Sequence, residues 1–281
     1  EGGKAIFKGK RMRKEDMTRR RDAIIALLCE AEELSAAALA ARLGVSVQTI
    51  RSDLRQLDEA ALVQRRNGGV RLRQPSENIG YAPRASLARA EKQQIAMAVR
   101  DLVPNGARIA LGTGTTVETC ARMLAASRAD LFIATNSIHA AIALQSAEGA
   151  EVVLSGGTLR LRDLDVIGAA SVTFFSSFLV DLAVFSCGGL SPCGAVLDYN
   201  TEEVAARSAI AACARRTVLV MDASKLGKAL PCRKGMVWEY DVVVTGADLP
   251  EDVQQQCRAS GCEVIRVGPD RAATNSDAEH V

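Results

Sequence analysis

Two groups of residues in this 281-residue chain combine side-chain type and spacing in a way that could do chemistry. The first is Gln48, Thr49, Arg51, Ser52 and Arg55, inside the run VQTIRSDLRQLDEA. Gln can pair with an adenine edge and Arg with guanine or phosphate. Hydroxyls reach base edges or backbone oxygens, so the set suits a DNA major groove. The second is Leu111-Gly112-Thr113-Gly114-Thr115-Thr116, placed after a strand-like stretch and opening a helix. Backbone N–H groups at a helix start, glycines that permit close approach and threonine hydroxyls together make a phosphate cradle. No Gly-Lys-Ser/Thr step follows and no G-x-G-x-x-G is present, which separates this loop from the common nucleotide-binding motifs.

The elements that must position the first group can be read from periodicity. Ile50, Leu54 and Leu57 form a buried stripe behind a Ser46 cap, leaving the polar set outward. Such a helix enters a groove N-terminal part first, which makes Gln48, Thr49 and Ser52 the base-contact candidates. Arg51 and Arg55 serve bases or phosphates. Upstream, Ser35 caps AAALAARLG, with Leu39 and Leu43 facing the core and Gly44 at a tight turn. Before it, Met17 to Ala31 places Ile24, Ile25 and Leu28 on one face and Arg19, Arg20 and Arg21 on the outer side. Downstream, VQRR-NGG-VRLR predicts a hairpin, because Asn67-Gly68 favours the positive φ of a two-residue turn. Arg65, Arg66, Arg71 and Arg73 line this wing, where they would neutralise phosphates. Up to Arg73 the chain carries 16 Lys plus Arg against 10 Asp plus Glu, a charge of +6; the remainder holds 19 against 23, or −4. A basic end on a mildly acidic body fits one domain that meets a polyanion.

The second group belongs to a different pattern. QPSENIGYAPR, from Gln74 to Arg84, has two prolines and a glycine and predicts a linker. Beyond it, strand-like ARIAL, LFIAT, EVVL, DLAVF, TVLVM, DVVVT and EVIRV alternate with helical or Gly-rich stretches, as in an α/β sheet that collects ligands at the carboxyl ends of its strands. Asn136, Gly156, Gly157, Gly188, Gly189, Asp222 and Lys225 all follow predicted strands. Lys225 would offset phosphate or carboxylate charge, and Asn136 and Asp222 would hydrogen-bond sugar hydroxyls. The content, 48% hydrophobic but only 4% aromatic, suits helices on a buried parallel sheet. No apolar run reaches 18 residues and no signal-peptide core is present, so a cytoplasmic protein without a membrane span is expected. The eight cysteines show no C-x-x-C pair and the two histidines no ligand spacing, so reduced thiols, no metal, no cofactor and no catalytic pair are expected.

The ordered set of helix, capped helix, glycine turn, Ser-capped helix and basic hairpin resembles the DeoR family of regulators, whose N-terminal signature stands here as LAARLGVSVQTIRSDLRQLDEAALVQRRNGG. The resemblance implies an α/β protein with a small winged helix-turn-helix domain (14–73), a linker (74–84) and a larger Rossmann-like effector domain (85–270). That effector domain is related to ribose-5-phosphate isomerase and senses phosphorylated sugars, which release the repressor from double-stranded operator DNA. By this resemblance Thr113, Gly114, Thr115 and Thr116 hold phosphate, and Asn136, Asp222 and Lys225 surround the rest of the ligand. A homo-oligomer, dimer or tetramer, is implied by two-fold operators. Four positions depart from the family pattern. Ala60-Ala61 stand where Gly precedes the leucine before the wing, and Ser52 replaces a second Arg. Gly112 stands where Asp is common, and Thr245-Gly246-Ala247-Asp248 where a Thr-Asp step is usual. The last two also resemble the isomerase, so an enzyme with Asp198, Glu202, Asp222 or Asp248 as base stands as the alternative. The isomerase's Gly-rich loop followed by Glu-Lys is missing, which favours binding without turnover.

Overall fold

The computed structural model describes residues 17, 20–21, 23–24, 27–28, 31, 33–59, 63–66, 69–72 and 81–268. The chain divides between Ala88 and Arg89 into two compact units.

In the first unit, helix α1 (Ala36–Leu43) begins at Ser35, whose hydroxyl accepts the Ala38 N–H at 3.1 Å, and ends at Gly44 with φ +64°. Helix α2 (Val47–Glu59) is opened by Ser46, whose Oγ accepts the Thr49 N–H at 3.1 Å. Ile50, Leu54 and Leu57 pack with Leu39, Ala40, Ile24 and Leu28 into one core. Ile24 and Leu28 come from a helical segment upstream of α1. Arg20 and Arg21 of that segment depart from the expected outward placement: their Nε atoms lie 2.6 and 3.1 Å from the carboxylate of Asp53. Asp53 is buried on the inner face of α2, and a buried carboxylate needs partners. The hairpin strands β1 (Val63–Arg66) and β2 (Gly69–Leu72) pair antiparallel with Arg66 opposite Gly69, the register of a two-residue turn. Asn67, Gly68 and Arg73 themselves lie outside the described residues. Val63 and Val70 are buried, and Val70 exchanges backbone hydrogen bonds of 2.9 and 2.8 Å with Leu34. A short helix, α3 (Tyr81–Ser86), follows.

The second unit is built on a seven-stranded parallel sheet in the order β14-β13-β11-β8-β3-β4-β5. The strands are β3 (Arg108–Leu111), β4 (Phe132–Thr135), β5 (Glu151–Leu154), β8 (Val180–Phe185), β11 (Ala214–Met221), β13 (Val242–Thr245) and β14 (Glu263–Arg266). Alternate residues supply two cores, one on each face. Ile109, Leu111, Leu182, Val184, Val218 and Val220 pack with helices α4 (Arg89–Leu102), α5 (Thr115–Ser127) and α6 (Ile138–Ala143). Ala110, Ala183, Phe185, Leu219 and Met221 pack with α7 (Ala169–Ser176), α8 (Thr201–Ala212) and α9 (Glu251–Ser260). Burial on both faces is why these strands read as continuous apolar runs. The strand order reverses between β3 and β8, the switch point beyond whose carboxyl ends ligands collect in such sheets.

Two small antiparallel pieces are not visible as periodicity, because each strand has only two to five residues. Hairpin β6 (Thr158–Arg160) and β7 (Asp165–Ile167) follows the Gly156-Gly157 loop, and Arg160 forks onto the Asp165 carboxylate opposite it at 2.9 and 2.7 Å. Strands β9 (Gly189–Leu190), β10 (Ala195–Asp198) and β12 (Cys232–Met236) form a second patch beyond the carboxyl end of β8.

Candidate functional site

On the first unit, Gln48, Arg51, Ser52 and Arg55 are solvent-exposed along α2, as groove-reading side chains must be. Ser46 and Thr49 are partly spent on each other: their hydroxyl oxygens lie 2.8 Å apart while Ser46 caps the helix, and Thr49 is half-buried. On the wing Arg65 is exposed. Arg71 is half-buried and donates from Nε and Nη2 to Gln64 Oε1 at 3.1 and 2.8 Å, bracing the hairpin across its register pair. Arg66 lies on β1, and its side chain is outside the described residues, as are Asn67 and Gly68.

On the second unit, the sheet brings distant segments to one edge. β3 delivers Gly112 to Thr116. Gly114 adopts φ +111° as the N-cap of α5 with no side-chain cap, so the first-turn N–H groups and the helix dipole face the site. Thr113 and Gly114 are half-buried; Thr115 and Thr116 are buried. In the adjoining register β4 places Asn136 beside Gly112, and β11 leads through Asp222 to the short 3-10 turn Ala223–Lys225. Gly156 and Gly157 are exposed at the end of β5, with Gly157 at φ +136°.

The residue that joins these pieces lies outside the strand-end loops. Lys92, in the first turn of α4, is only 4% exposed; its Nζ lies 3.0 Å from Thr115 Oγ1 and 4.0 Å from Asp222 Oδ2. Lys225 is 9% exposed. Burial pushes the Asp222 carboxyl up, but the charges of Lys225 and Lys92, the Ser224 hydroxyl and Lys228 outweigh it and hold the group below its ordinary range. Asp222 Oδ1 is already committed to the Ser224 N–H, at 3.1 Å, and to the Ser224 hydroxyl. Asp222 thus anchors two lysines more than it awaits a sugar hydroxyl. Asn136 is likewise engaged: its Nδ2 donates to Val166 O at 3.0 Å. Its signal in the sequence was a strand end; that of Lys92 was a charge at the head of the buried stripe Ile95, Ala96, Val99.

Two departures from the family pattern have local causes. A Cβ on Gly112 would meet Phe185 Cβ at 3.0 Å and Ile210 Cδ1 at 3.4 Å, so a larger residue there would need its neighbours on the α8 face to give by a few tenths of an ångström. At Gly246 a Cβ would lie 2.2 Å from Glu91 Oε1, the atom that accepts both the Gly246 N–H at 3.0 Å and the Ala223 N–H at 2.7 Å. Burial raises the Glu91 carboxyl despite those two donors. Neighbouring residues of α4 therefore hold three loops: Glu91 the ends of β11 and β13, Lys92 the start of α5.

A family model described as the DeoR C terminal sensor domain matches residues 87–247, and one described as the DeoR-like helix-turn-helix domain matches residues 20–76. The chain belongs to the DeoR family. Among relatives, this DeoR-family chain is 34% identical over 85% of its length to the glycerol-3-phosphate regulon repressor of Escherichia coli, covering 94% of that protein. To the repressor of the same name from Haemophilus influenzae it is 37% identical, with 83% of this chain and 91% of the relative covered. The HTH-type transcriptional repressor CsqR of Escherichia coli is 32% identical over 88% of this chain and 94% of its own. The function expected from the sequence, a DNA-binding transcriptional repressor of the DeoR type, agrees with these matches. Among the described residues no helix is long and apolar enough to cross a membrane.

Proposed function

We propose that this DeoR-family repressor grips operator DNA through α2 and the β1–β2 wing and is released when a phosphorylated sugar or polyol binds at the switch point of the second unit. Gln48 and Ser52 read bases, Arg51 and Arg55 take bases or phosphates, and Arg65, Arg66 and Arg71 neutralise the backbone beside Asn67-Gly68. Ser46 and Thr49 set the start of the reading helix as much as they touch DNA. The phosphate lies on Thr113, Gly114, Thr115 and Thr116, with Lys92 and Lys225 opposing its charge, and Asn136, Gly156 and Gly157 border the rest. The single observation behind this reading is buried Lys92 at the uncapped N-terminus of α5, 4.0 Å from the Asp222 carboxylate, on which the charge of buried Lys225 also acts. Burying cations costs free energy that an anion and the Asp222 carboxylate offset. Because two relatives carry glycerol 3-phosphate in their names, that ester heads the panel of effectors to be tried.

The protein works as a cytoplasmic homo-oligomer, dimer or tetramer, since paired reading heads match two-fold operators. It senses without turnover. Of the carboxylates weighed as bases, Asp198 is spent on Arg207 at 2.8 and 3.0 Å and on the Gly188 N–H at 2.7 Å. Asp248 pairs with Arg266 on the surface, Glu202 is exposed, and Asp222 anchors lysines. Incubation with ribose 5-phosphate and related esters is expected to give no ketose while the same esters raise the melting temperature. Ketose formation would make the protein an enzyme.

A further inference from the structure

The seven-stranded sheet of the second unit ends in two unlike edges. Strand β14 is guarded by charge: Glu263 meets Arg216 at 2.9 Å and Arg266 meets Asp248 at 2.6 Å. Such charges keep a row of open N–H and C=O groups from pairing with another chain. Strand β5, Glu151-Val152-Val153-Leu154, has one charge at its start and none beyond. Its ladder shows which groups are open. Glu151 N–H donates to Leu131 O and Ser155 N–H to Thr135 O, both at 2.9 Å, so alternate residues 151, 153 and 155 face β4. The N–H and C=O of Val152 and Leu154 therefore point outward, and among the described residues no strand pairs with them. Large apolar side chains gather beside this edge. Of the seven that are exposed among the described residues, four fall between positions 142 and 161: Ile142 at 57%, Leu154 at 42%, Leu159 at 39% and Leu161 at 77%. Ile142 stands on α6, which packs on β4 and β5, and Leu159 and Leu161 follow β5 after a link of three residues. Apolar exposure concentrated in this way marks an interaction surface.

We infer that β5 pairs with β5 of a second copy of this chain, antiparallel across a two-fold axis at Val153, joining two seven-stranded sheets into one. The inference rests on the homo-oligomer proposed above and locates its interface. The occupant follows from the strand itself, because a two-fold contact requires an edge that complements itself. Centred on Val153, the outward residues meet within β5: Val152 lies opposite Leu154 of the copy and Leu154 opposite Val152, each pair exchanging both N–H···O bonds. Centring on Val152 would call instead on Ala150, whose N–H is turned back onto Ala147 O at 3.5 Å. In the Val153 register Glu151 falls opposite Ser155, so the acidic side chains of the two copies do not meet. A copy brings the matching open edge with it, and a winged helix on a two-fold operator needs that second copy. A stable dimer takes roughly 800 Å² from each partner, so the strands need flanking apolar surface, which Ile142, Leu159 and Leu161 supply.

The test is analytical ultracentrifugation of the full chain with variants at the axis. Val153→Lys and Val153→Glu each set like charges directly opposite one another, and each is expected to raise the dissociation constant of this contact about tenfold or more. An equal mixture of the two variants is expected to restore it, because lysine then faces glutamate. Val153→Cys changes the side-chain volume little, so it serves where a charge at this half-buried position unfolds the unit. Oxidised with diamide, its introduced thiols are expected to join copy to copy, since opposed residues of a non-hydrogen-bonded pair have Cα atoms about 4.5 Å apart, within reach of a disulfide. Val152→Cys, whose counterpart lies diagonally about 7 to 8 Å away, should cross-link several-fold less. Peptide mapping separates these links from those of the native cysteines. An oligomer that neither charge weakens, or thiols that join at position 152 in preference to 153, overturns this interface and leaves the homo-oligomer reading standing. So does a mixture of folded lysine and glutamate variants that stays dissociated. A wild-type chain that sediments as a monomer while binding DNA overturns both readings.

Discussion

The two units place their proposed functional side chains in opposite environments. Gln48, Arg51, Ser52 and Arg55 stand in solvent on one face of a single helix, over a core of Ile50, Leu54 and Leu57. Lys92, Asp222 and Lys225 are buried and come from segments more than a hundred residues apart. A surface that must enter a groove keeps its polar groups hydrated until DNA replaces the water. A small-ligand site desolvates its charges in advance, so that a matching anion meets a preorganised field. The first design needs only a stable helix. The second needs a sheet whose strand ends converge.

The sharpest way to break this contrast is to damage each unit alone. Leu54→Ala removes a fully buried side chain from the first core and is expected to cost about 3 kcal/mol, abolishing DNA binding while ester binding by the second unit persists; circular dichroism melts with calorimetry check it. Conversely, Lys92→Met is expected to weaken ester binding by tenfold or more with operator affinity unchanged, measured by calorimetry and anisotropy side by side. If Lys92→Met lowers DNA affinity as much as ester affinity, the separation of roles fails. Gln48→Ala should shift preference at one base position by about 1 to 3 kcal/mol if its amide makes a bidentate contact, which a binding-site selection would show. Arg51→Ala should weaken binding to all sequences alike and reduce the salt slope by about 1 where it contacts phosphate. A selection profile unchanged by the Gln48 variant removes it from the reading set.

The smallest effect concerns pH. Asp222 has a carboxyl pKa lowered from 3.8, so its ionised form stabilises the fold; the contribution is complete above 3.8 and is lost as pH falls through the lower folded value. Wild type should therefore exceed Asp222→Asn in stability at neutral pH, with the gap closing in acid. A gap independent of pH would show that Asp222 acts through packing and its Ser224 hydrogen bonds alone.

The same contrast decides what the sequence revealed. Helix α2 was legible because a 3.6-residue period sorts residues into buried and outward sets, and the outward set is the candidate surface. The Gly112 to Thr116 loop and the strand-end residues Asn136, Asp222 and Lys225 were legible for a similar reason, since parallel strands end where ligands gather. Lys92 and Asp53 were not. Each occupies a core position of a helical stripe, Lys92 with Ile95, Ala96 and Val99, and Asp53 with Ile50, Leu54 and Leu57. A charge on such a stripe is a signal, but its partner lies elsewhere in the chain: Arg20 and Arg21 for Asp53, Thr115 and Asp222 for Lys92. Local spacing cannot name it. The β6–β7 hairpin escaped notice because strands of three residues show no alternation.

The central claim is that an ester held beside Lys92 controls the grip of α2 on DNA. The most direct measurement is fluorescence anisotropy of a duplex selected by the protein from a random-sequence pool, titrated with and without saturating ester. Wild-type affinity is predicted to fall at least tenfold when the ester is present, and that of Lys92→Met to stay unchanged. Operator affinity that is unaffected or tightened by every ester that binds the wild-type protein would contradict the account.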